Sequence, residues 1–382
     1  MRVLMIHNFY QIPGGEDSIV RAEVAMLKDN GIEVDLFSVT NDVIDGRLAQ
    51  ARAAVQVVYN PVARRALARK LAAYTPDVVH IHNFFPLLSP SVFDACRDAG
   101  VPSVLTLHNY RILCPTAFLH ADDKDRQRSL RQSCWWTVPK KVYRNSAAAT
   151  LALAAMVEFH KRVGTWKRKV DRFIVLTDLA KRTFTAGGLP SERICVKPNW
   201  VSRPPRLDHG QREGALFVGR LDEQKGVRVL LEAWKDLDCP LKIIGEGPLE
   251  DLVRQSGNDR IVYLGRQPRS TVQREMQAAR FLVLPSIGYE MFPVTVLEAY
   301  ASELPVICSD LPSLAGLVEA RVTGLKFLPG DGPGLVAQVR WAIASPSVLR
   351  EYGNRARVMY EERYTPEANF AQLIDIYRSV CR

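Results

Sequence analysis

Short apolar runs alternate with amphipathic segments along the first half of the chain. Strands are predicted at five of these runs, which are residues 2–6, 32–37, 78–82, 103–107 and 173–176. A helix is predicted over 17–30, and Gly31 after it is a residue type that commonly follows a helix end. Strands that alternate with helices normally pair in parallel, so we expect a doubly wound α/β domain.

The pattern restarts after a proline-rich segment. Three prolines interrupt residues 197–205, where no regular element is expected to continue. Further strands are predicted at 215–218, 241–244, 261–264, 281–284 and 306–308, with an amphipathic helix over 227–237. We therefore expect two Rossmann-like domains, 1–203 and 204–365, and a C-terminal helix over 366–382 that packs back on the first domain. Ligands of such sheets bind beyond the C-terminal strand ends, so two domains facing a central cleft are expected.

Length and composition agree with two globular domains. The chain has 382 residues, more than one hydrophobic core usually supports. Its seven cysteines are scattered without a CxxC pair, which disfavours a disulfide scaffold or zinc ribbon and fits a reducing compartment. The N-terminal apolar run is too short for a signal peptide, and no run of about 18 apolar residues occurs. We expect a cytoplasmic protein, peripheral on the inner face of the membrane.

Positive charge is concentrated in one segment. The net charge is +10, and thirteen Lys or Arg residues against three acids lie between Lys124 and Arg172. Such a segment favours an acidic partner, which could be anionic lipid, nucleic acid or a phosphorylated acceptor. A solvated helical face is the plainer interpretation. Four aromatic residues are interleaved and could stack on bases or sit at a membrane interface: Trp135, Trp136, Tyr143 and Trp166.

Two loops that follow predicted strands suit a phosphorylated ligand. Gly14 and Gly15 let the backbone approach a ligand beside a helix N-terminus, although a tight turn would also explain them. Arg220 and Lys225 follow the strand at 215–218, in a loop where a diphosphate would dock. The arginine offers a planar guanidinium with parallel N–H donors, and the lysine offers a compact positive charge. A pair of surface cations is the alternative.

Two further loops carry a glycine and a pair of carboxylates. Gly245 follows the strand at 241–244 and suits close approach of a nucleotide, although a plain turn fits equally. Glu290 and Glu298 flank Pro293, which is predicted at a first helical position. Glu298 would lie about one and a half turns into that helix, so both carboxylates could face one cleft. His108 ends the strand at 103–107, where a structural role is the usual one for a lone histidine.

These motifs, in this order, resemble glycosyltransferase family 4, a retaining family with the GT-B fold. The stretches FVGRLDEQKG, IIGEGP and YEMFPVTVLEAY resemble its C-terminal donor domain. The stretches PGGEDS, DVVHIHN and LTLHNYRILCP resemble the N-terminal domain of bacterial polysaccharide and lipid-linked-glycan members. The likeness covers nearly the whole chain.

The resemblance implies a role for each matching residue. Arg220 and Lys225 would hold the donor diphosphate, and Glu298 would bind the ribose. Glu290 would contact donor-sugar hydroxyls, with His108 beside the reacting sugar, so these two form the catalytic set. Backbone groups of the glycines and of the 291–294 loop would approach the diphosphate and sugar. The implied donor-binding set is Gly14, Gly15, Gly219, Arg220, Lys225, Gly245, Met291, Phe292, Pro293, Val294 and Glu298.

Three positions depart from the family pattern, which usually has glycine where this chain has Met291, Pro293 and Glu303. Pro293 has no N–H, so one expected backbone contact with the donor is removed. An altered donor geometry with an intact fold is therefore expected.

The resemblance thus implies a retaining glycosyltransferase that uses a UDP- or GDP-sugar and a glycan or lipid-linked acceptor in cell-surface polysaccharide synthesis. Neither a metal nor another cofactor is expected, because the Asp-x-Asp stretches at 123–125 and 236–238 fit surface positions. The pair His80 and His82 lacks a nearby acid in sequence. No clear nucleophile is present, which favours a same-face displacement. A sugar-nucleotide epimerase of the same fold is the alternative, and a nucleic-acid-binding protein leaves the glycine and glutamate loops unexplained.

Overall fold

A computed structural model describes residues 1–11, 14–119, 128–205, 212–288 and 291–381, without the side chain of Arg47. The chain divides into two compact units. The first contains residues 1–198 and 370–382, and the second contains residues 199–369.

Six parallel strands form the sheet of the first unit, in the order β2-β1-β3-β4-β5-β6. They are β1 (Arg2–Phe9), β2 (Glu33–Thr40), β3 (Val78–Asn83), β4 (Ser103–Leu107), β5 (Arg172–Val175) and β6 (Ile194–Val196). The helices of this unit are α1 (Gly15–Asp29), α2 (Gly46–Gln56), α3 (Pro61–Tyr74), α4 (Ser91–Asp98), α5 (Ala147–Arg162), α6 (Thr165–Lys169) and α7 (Asp178–Ala186). Every residue of β3 and β4 is buried, as expected for strands covered on both faces of a parallel sheet.

The second unit repeats this design in the order β12-β11-β10-β7-β8-β9. Its strands are β7 (Ala215–Val218), β8 (Leu241–Ile244), β9 (Ile261–Gly265), β10 (Phe281–Leu284), β11 (Val306–Ser309) and β12 (Gly324–Phe327). Its helices are α8 (Val227–Ala233), α9 (Glu250–Arg254), α10 (Arg269–Ala278), α11 (Val294–Ala301), α12 (Gly332–Ala344) and α13 (Pro346–Arg363). The last helix, α14 (Pro366–Arg378), ends within the first unit.

Large apolar side chains fill the core of each unit. Phe93, Phe173 and Phe184 are completely buried in the first, and Phe217 and Trp234 in the second. Burying a side chain of this size stabilises a fold by about 1.5–3 kcal/mol. These residues therefore hold the helices of each unit against its sheet.

The predicted fold class, two Rossmann-like α/β domains, is confirmed by the two parallel sheets. The boundaries of some elements differ from the prediction. β1 continues to Phe9, and the helix predicted over 227–237 ends at Ala233, followed by a single 3-10 turn, Trp234–Asp236. The strands β6 and β12 were not predicted, because β6 has only three residues and β12 begins with glycine, a residue that is depleted in strands.

Each sheet reverses its strand order once. In the first unit the reversal lies between β1 and β3, and in the second between β7 and β10. The connections that follow the two central strands leave in opposite directions there, and the crevice between them is where open α/β sheets bind ligands.

Gly245 allows the loops after β7 and β8 to lie in direct contact. The N–H of Gly219 donates to the carbonyl of Ile244 at 3.0 Å, and the N–H of Leu221 donates to Glu246 at 2.9 Å. Gly245 has a φ of +145°, and a Cβ there would lie 1.8 Å from the carbonyl oxygen of Gly219. Only glycine fits this position, because any side chain would push the two loops apart.

We expect Gly245→Ala to destabilise the protein far more than Gly257→Ala. Gly257 also has a positive φ, +61°, but no atom lies within 4 Å of a Cβ there. Its substitution should cost about 1–2 kcal/mol from backbone strain alone. Gly245→Ala adds a clash with backbone and should cost at least twice as much. Denaturant unfolding of both variants measures the difference, and equal losses would contradict the close contact of the two loops.

Candidate functional site

The loops after β7 and β10 are tied together at the strand reversal of the second unit. The N–H groups of Ile287 and Gly288 both donate to the carbonyl of Gln224, at 2.8 and 3.0 Å. Gly226 has a φ of +70°, and a Cβ there would lie 1.8 Å from the carbonyl oxygen of Pro285. The loop that carries Arg220 and Lys225 is therefore fixed against the connection that leads to α11.

Asp222 organises the loop that carries the two candidate cations. Its carboxylate accepts the backbone N–H of Lys225 at 3.0 Å and lies 3.2 Å from Nε of Arg220. The Arg220 side chain is 69% exposed, and an exposed ion pair of this kind contributes little to stability. Its guanidinium is therefore readily available to an anionic ligand, and the half-buried Lys225 adds a second positive charge to the same loop.

Glu298 lies on α11, where its side chain is 21% exposed. Burial raises the pKa of this carboxyl above its usual value, and Arg269 opposes that shift only weakly, with Nε 3.9 Å from Oε1. The carboxylate oxygens accept no hydrogen bond from another described side chain, so they remain available to ligand hydroxyls. Sequence reasoning missed Arg269, which lies on a different helix.

The 291–294 loop offers backbone rather than side chains to a ligand. Phe292 is 9% exposed and packs edge-on against Tyr364, with 6.4 Å between ring centroids. Pro293 precedes α11 instead of occupying its first turn, one position earlier than predicted. No described side chain caps this helix, so N–H groups at its start can face a ligand, although Pro293 has none and the N–H of Val296 donates to the carbonyl of Pro293. Glu290, predicted as a catalytic residue, lies outside the described residues.

The candidate residue His108 belongs to a buried polar network in the first unit. His82 Nδ1 lies 3.0 Å from His108 Nε2, and His82 Nε2 lies 3.1 Å from Oε1 of Glu23. The other oxygen of Glu23 is 3.1 Å from the ammonium of Lys197. These groups come from α1, the ends of β3 and β4 and the segment after β6, so the sheet topology brings them together.

The charges of this network fix the tautomers of both histidines. Burial opposes the ionisation of Glu23, but Lys197 and the two imidazoles hold its pKa well below the usual value. Burial, followed by repulsion from His80, lowers the pKa of His82 to about 3. Neutral His82 must then donate from Nε2 to Glu23 and accept at Nδ1, so His108 donates its Nε2–H. His108, whose pKa burial also lowers strongly, keeps Nδ1 as a neutral hydrogen-bond acceptor.

The expectation that His80 and His82 lack a nearby acid is wrong. Donor atoms of Glu23, His80 and His82 lie within 4.8 Å of one another, close enough to share a metal ion. However, both ring nitrogens of His80 are already hydrogen-bonded, to Tyr377 and Thr106, each at 2.7 Å. The Lys197 ammonium also supplies the positive charge that a metal would bring to Glu23. We therefore interpret the group as a hydrogen-bonded network.

The two N-terminal glycines lie in open surroundings. No atom lies within 4 Å of a Cβ built at Gly14 or Gly15, and Gly14 has an ordinary negative φ of −110°. The Gly14 N–H donates to Asp17, which also contacts His7 at 2.7 Å. Packing does not require glycine here, so the exposed backbone is consistent with the predicted approach of a ligand.

A cavity of about 620 Å³ opens at the strand reversal of the first unit, and the sequence did not reveal it. Residues after β1, β2, β3 and β4 line it, together with helices α2 and α5. Among them are Tyr10, Asn41, Phe85 and Arg111. This volume lies in the range of small-molecule sites, whose dimensions are about 300–1,000 Å³.

The basic segment presents fewer aromatic residues than the sequence suggested. Trp136 and Trp166 are 8% and 4% exposed, so they pack inside the first unit, whereas Trp135 is 44% exposed. Residues 124–127 of this segment lie outside the described residues. Lys140, Lys141 and Arg162 are exposed. No described helix is both long and apolar enough to cross a membrane.

Comparison with known families and sequences agrees with this two-unit design. Residues 14–200 match the glycosyl transferase 4-like domain, and residues 212–345 match the glycosyl transferases group 1 domain. The phosphatidyl-myo-inositol mannosyltransferase of Mycobacterium leprae is 26% identical over 407 aligned positions, which cover 100% of this chain and 97% of that protein. The alpha-D-kanosaminyltransferase of Streptomyces kanamyceticus is 26% identical and covers 83% of this chain and 80% of its own length.

Solved structures share the fold. Sucrose-phosphate synthase from Thermosynechococcus elongatus superposes with a TM-score of 0.74 at 19% identity, covering 99% of this chain and 98% of that one. Anabaena HepE in complex with UDP gives a TM-score of 0.71 at 17% identity, covering 99% and 100%. Both likenesses establish the GT-B fold.

Acidification below pH 6.5 should destabilise the protein. Histidines of the unfolded chain titrate near pH 6.5, whereas burial lowers the pKa of His82 and His108 in the folded protein. Stability is therefore fully present above pH 6.5 and declines as the pH falls towards the folded-state pKa of His82, about 3. Each such histidine contributes a slope of about 1.4 kcal/mol per pH unit in this window. Unfolding free energies of wild type and His82→Asn, measured at several pH values, test this, and identical slopes would contradict the buried neutral state of His82.

Proposed function

Because the chain belongs to the glycosyltransferases in which a 4-like domain precedes a group 1 domain, it is a glycosyl-transferring enzyme, and we propose that it retains the anomeric configuration of a UDP- or GDP-sugar donor. The acceptor is a glycan or a lipid-linked glycan, with a role in cell-surface polysaccharide synthesis. The observation that carries this proposal is the strand reversal of the second unit, which places Arg220, Lys225 and α11 on adjoining connections.

The diphosphate and the ribose of the donor have matching partners on these connections. Arg220 and Lys225 hold the diphosphate, to which Arg offers parallel N–H donors and Lys a compact charge. Glu298 accepts hydrogen bonds from the ribose hydroxyls. The tight contact made by Gly219 and Gly245 lets the nucleotide approach the backbone closely.

Departure of the nucleoside diphosphate requires stabilisation of its negative charge. In this proposal the cationic pair and the uncapped N-terminus of α11 supply fixed positive potential, so no metal is needed. The leaving phosphate helps to deprotonate the acceptor on the same face of the sugar. His108 acts as a neutral acceptor for a hydroxyl of the reacting sugar, since its network disfavours a charged imidazole. Glu290 is assigned to other sugar hydroxyls from sequence alone.

Peripheral attachment to the inner face of an anionic membrane is the other part of the proposal. Exposed cations among the described residues of the basic segment support it, including Lys140, Lys141 and Arg162. Trp135 and Phe159 of the same segment are exposed by 44% and 46%. The names of the two relatives describe transfer of a sugar, which supports transfer over epimerisation. Nucleic acid is not part of the proposed function.

Glu298→Ala and Lys225→Ala should each lower kcat/KM for transfer by about 100-fold, because each removes a charged contact with the donor. Lys235→Ala and Glu351→Ala are matched controls, since their side chains are exposed by 64% and 55% and form only surface ion pairs. Transfer assays with circular dichroism on all four variants test this. Rates within threefold of wild type for both donor-loop variants, with the fold intact, would refute the donor assignment.

The protein should sediment with vesicles that contain phosphatidylglycerol and not with pure phosphatidylcholine, and salt should weaken this binding. Each Lys or Arg near an anionic surface contributes about 1 kcal/mol. A Lys140→Gln, Lys141→Gln, Arg162→Gln triple variant should therefore lose most of its binding. The matched control carries Lys235→Gln, Arg266→Gln and Arg350→Gln, three exposed cations of the second unit. Equal sedimentation with both lipids, or equal binding by the two triple variants, would contradict membrane attachment through this segment.

A further inference from the structure

Arg111 lines the cavity of the first unit with part of its hydrogen-bonding capacity unused. Its Nε and Nη1 atoms are buried, and neither has a hydrogen-bond partner among the described residues. The faces of the guanidinium are covered instead, by Phe85 at 4.2 Å and Tyr143 at 5.7 Å from Cζ to the ring centroids. Leaving such donors buried and unpaired costs free energy, whereas a ligand oxyanion at the edge of the guanidinium would satisfy them.

No described carboxylate lines the cavity or forms an ion pair with Arg111. The described residues that line the cavity include Arg111 and Arg144 but neither an aspartate nor a glutamate. The nearby Glu16 accepts a hydrogen bond from Tyr10 at 3.0 Å and forms no ion pair with Arg111. Burial raises the pKa of Glu16 to about 8, against the opposing effects of its hydrogen bond with Tyr10 and of the Arg111 charge. The polar end of the cavity is therefore cationic.

One part of the cavity wall is apolar. Small side chains from α2 and α5 form it: Ala53, Ala54, Ala149 and Ala152. Ile44, Val57 and Leu153 extend it. Small apolar side chains leave room along the two helices and form no hydrogen bonds, so this wall suits a hydrocarbon portion of a ligand.

We propose that this cavity binds a phosphate joined to an apolar chain, with the phosphate on Arg111 and Arg144 and the chain along the alanine wall. The inference rests on the proposed transfer, because it specifies the acceptor class as a phosphate-linked lipid. It adds a recognition site at the strand reversal of the first unit, separate from the donor residues of the second.

Calorimetric titration of the full-length protein with decyl phosphate, decyl maltoside and inorganic phosphate tests the assignment, with both amphiphiles below their micelle concentrations. Decyl phosphate should bind at least about tenfold more tightly than either other probe, because only it satisfies both ends of the cavity. Arg111→Gln should weaken decyl phosphate binding by at least about tenfold, and Arg111→Lys should recover part of the loss. Arg97→Gln, an exposed arginine outside the cavity, should bind as wild type does.

Ala152→Phe fills the cavity without changing its charge and should also abolish decyl phosphate binding, which keeps the test decisive if Arg111→Gln unfolds. Equal affinity of decyl phosphate for wild type and both variants would overturn the assignment, as would equal binding of decyl maltoside. Inorganic phosphate that binds as tightly as decyl phosphate would overturn the role of the alanine wall. Nucleotide-sugar binding, measured on the same preparations, reports separately on the proposed transfer. If the wild-type protein binds decyl phosphate but no nucleotide-sugar, the proposed transfer is contradicted and the proposed cavity ligand is not.

Discussion

In both sheets the strand order reverses once, and the connections on either side of each reversal must diverge. That constraint determines where this chain can bind a ligand. In the second unit it brings the Arg220 loop beside the connection to α11, with Gln224 accepting two N–H groups across the gap. In the first unit it opens the cavity that contains Arg111. The site residues differ between the units, but the same backbone geometry positions them.

Both reversals present cations, and the first unit also contains a buried ionic network. The second unit presents exposed or half-buried cations, as expected for a diphosphate that must bind and leave. In the first unit, a buried carboxylate, Glu23, is balanced by Lys197 and fixes the hydrogen-bonding direction of His82 and His108. Removing either partner of a buried ion pair is strongly destabilising, so this network couples the candidate residue His108 to the stability of the fold.

Strands and helices that depend on a local sequence pattern could be predicted from the sequence. Contacts between residues that are far apart in the sequence could not, because only the fold brings them together. Buried strands such as 103–107 are continuous apolar runs, so their positions followed from the sequence. Glu23 is 59 residues from His82, and the two meet only because α1 packs near the end of β3. Arg111 was part of a quoted motif, but its unpaired atoms became evident only when Phe85 and Tyr143 were placed around it. Trp166 illustrates the reverse case, since its basic neighbours suggested exposure and the fold buries it.

We propose that the second unit binds a nucleotide-sugar through Arg220, Lys225 and Glu298 without a metal. Thermal unfolding in EDTA, with UDP, GDP and their sugar conjugates added one at a time, tests it most directly. A ligand at a hundredfold excess over its dissociation constant stabilises a fold by about 2.7 kcal/mol. We expect such a shift for one nucleotide family in wild type and its loss in Glu298→Ala. No shift with any nucleotide, or a shift that appears only when Mn²⁺ or Mg²⁺ is restored, would contradict it.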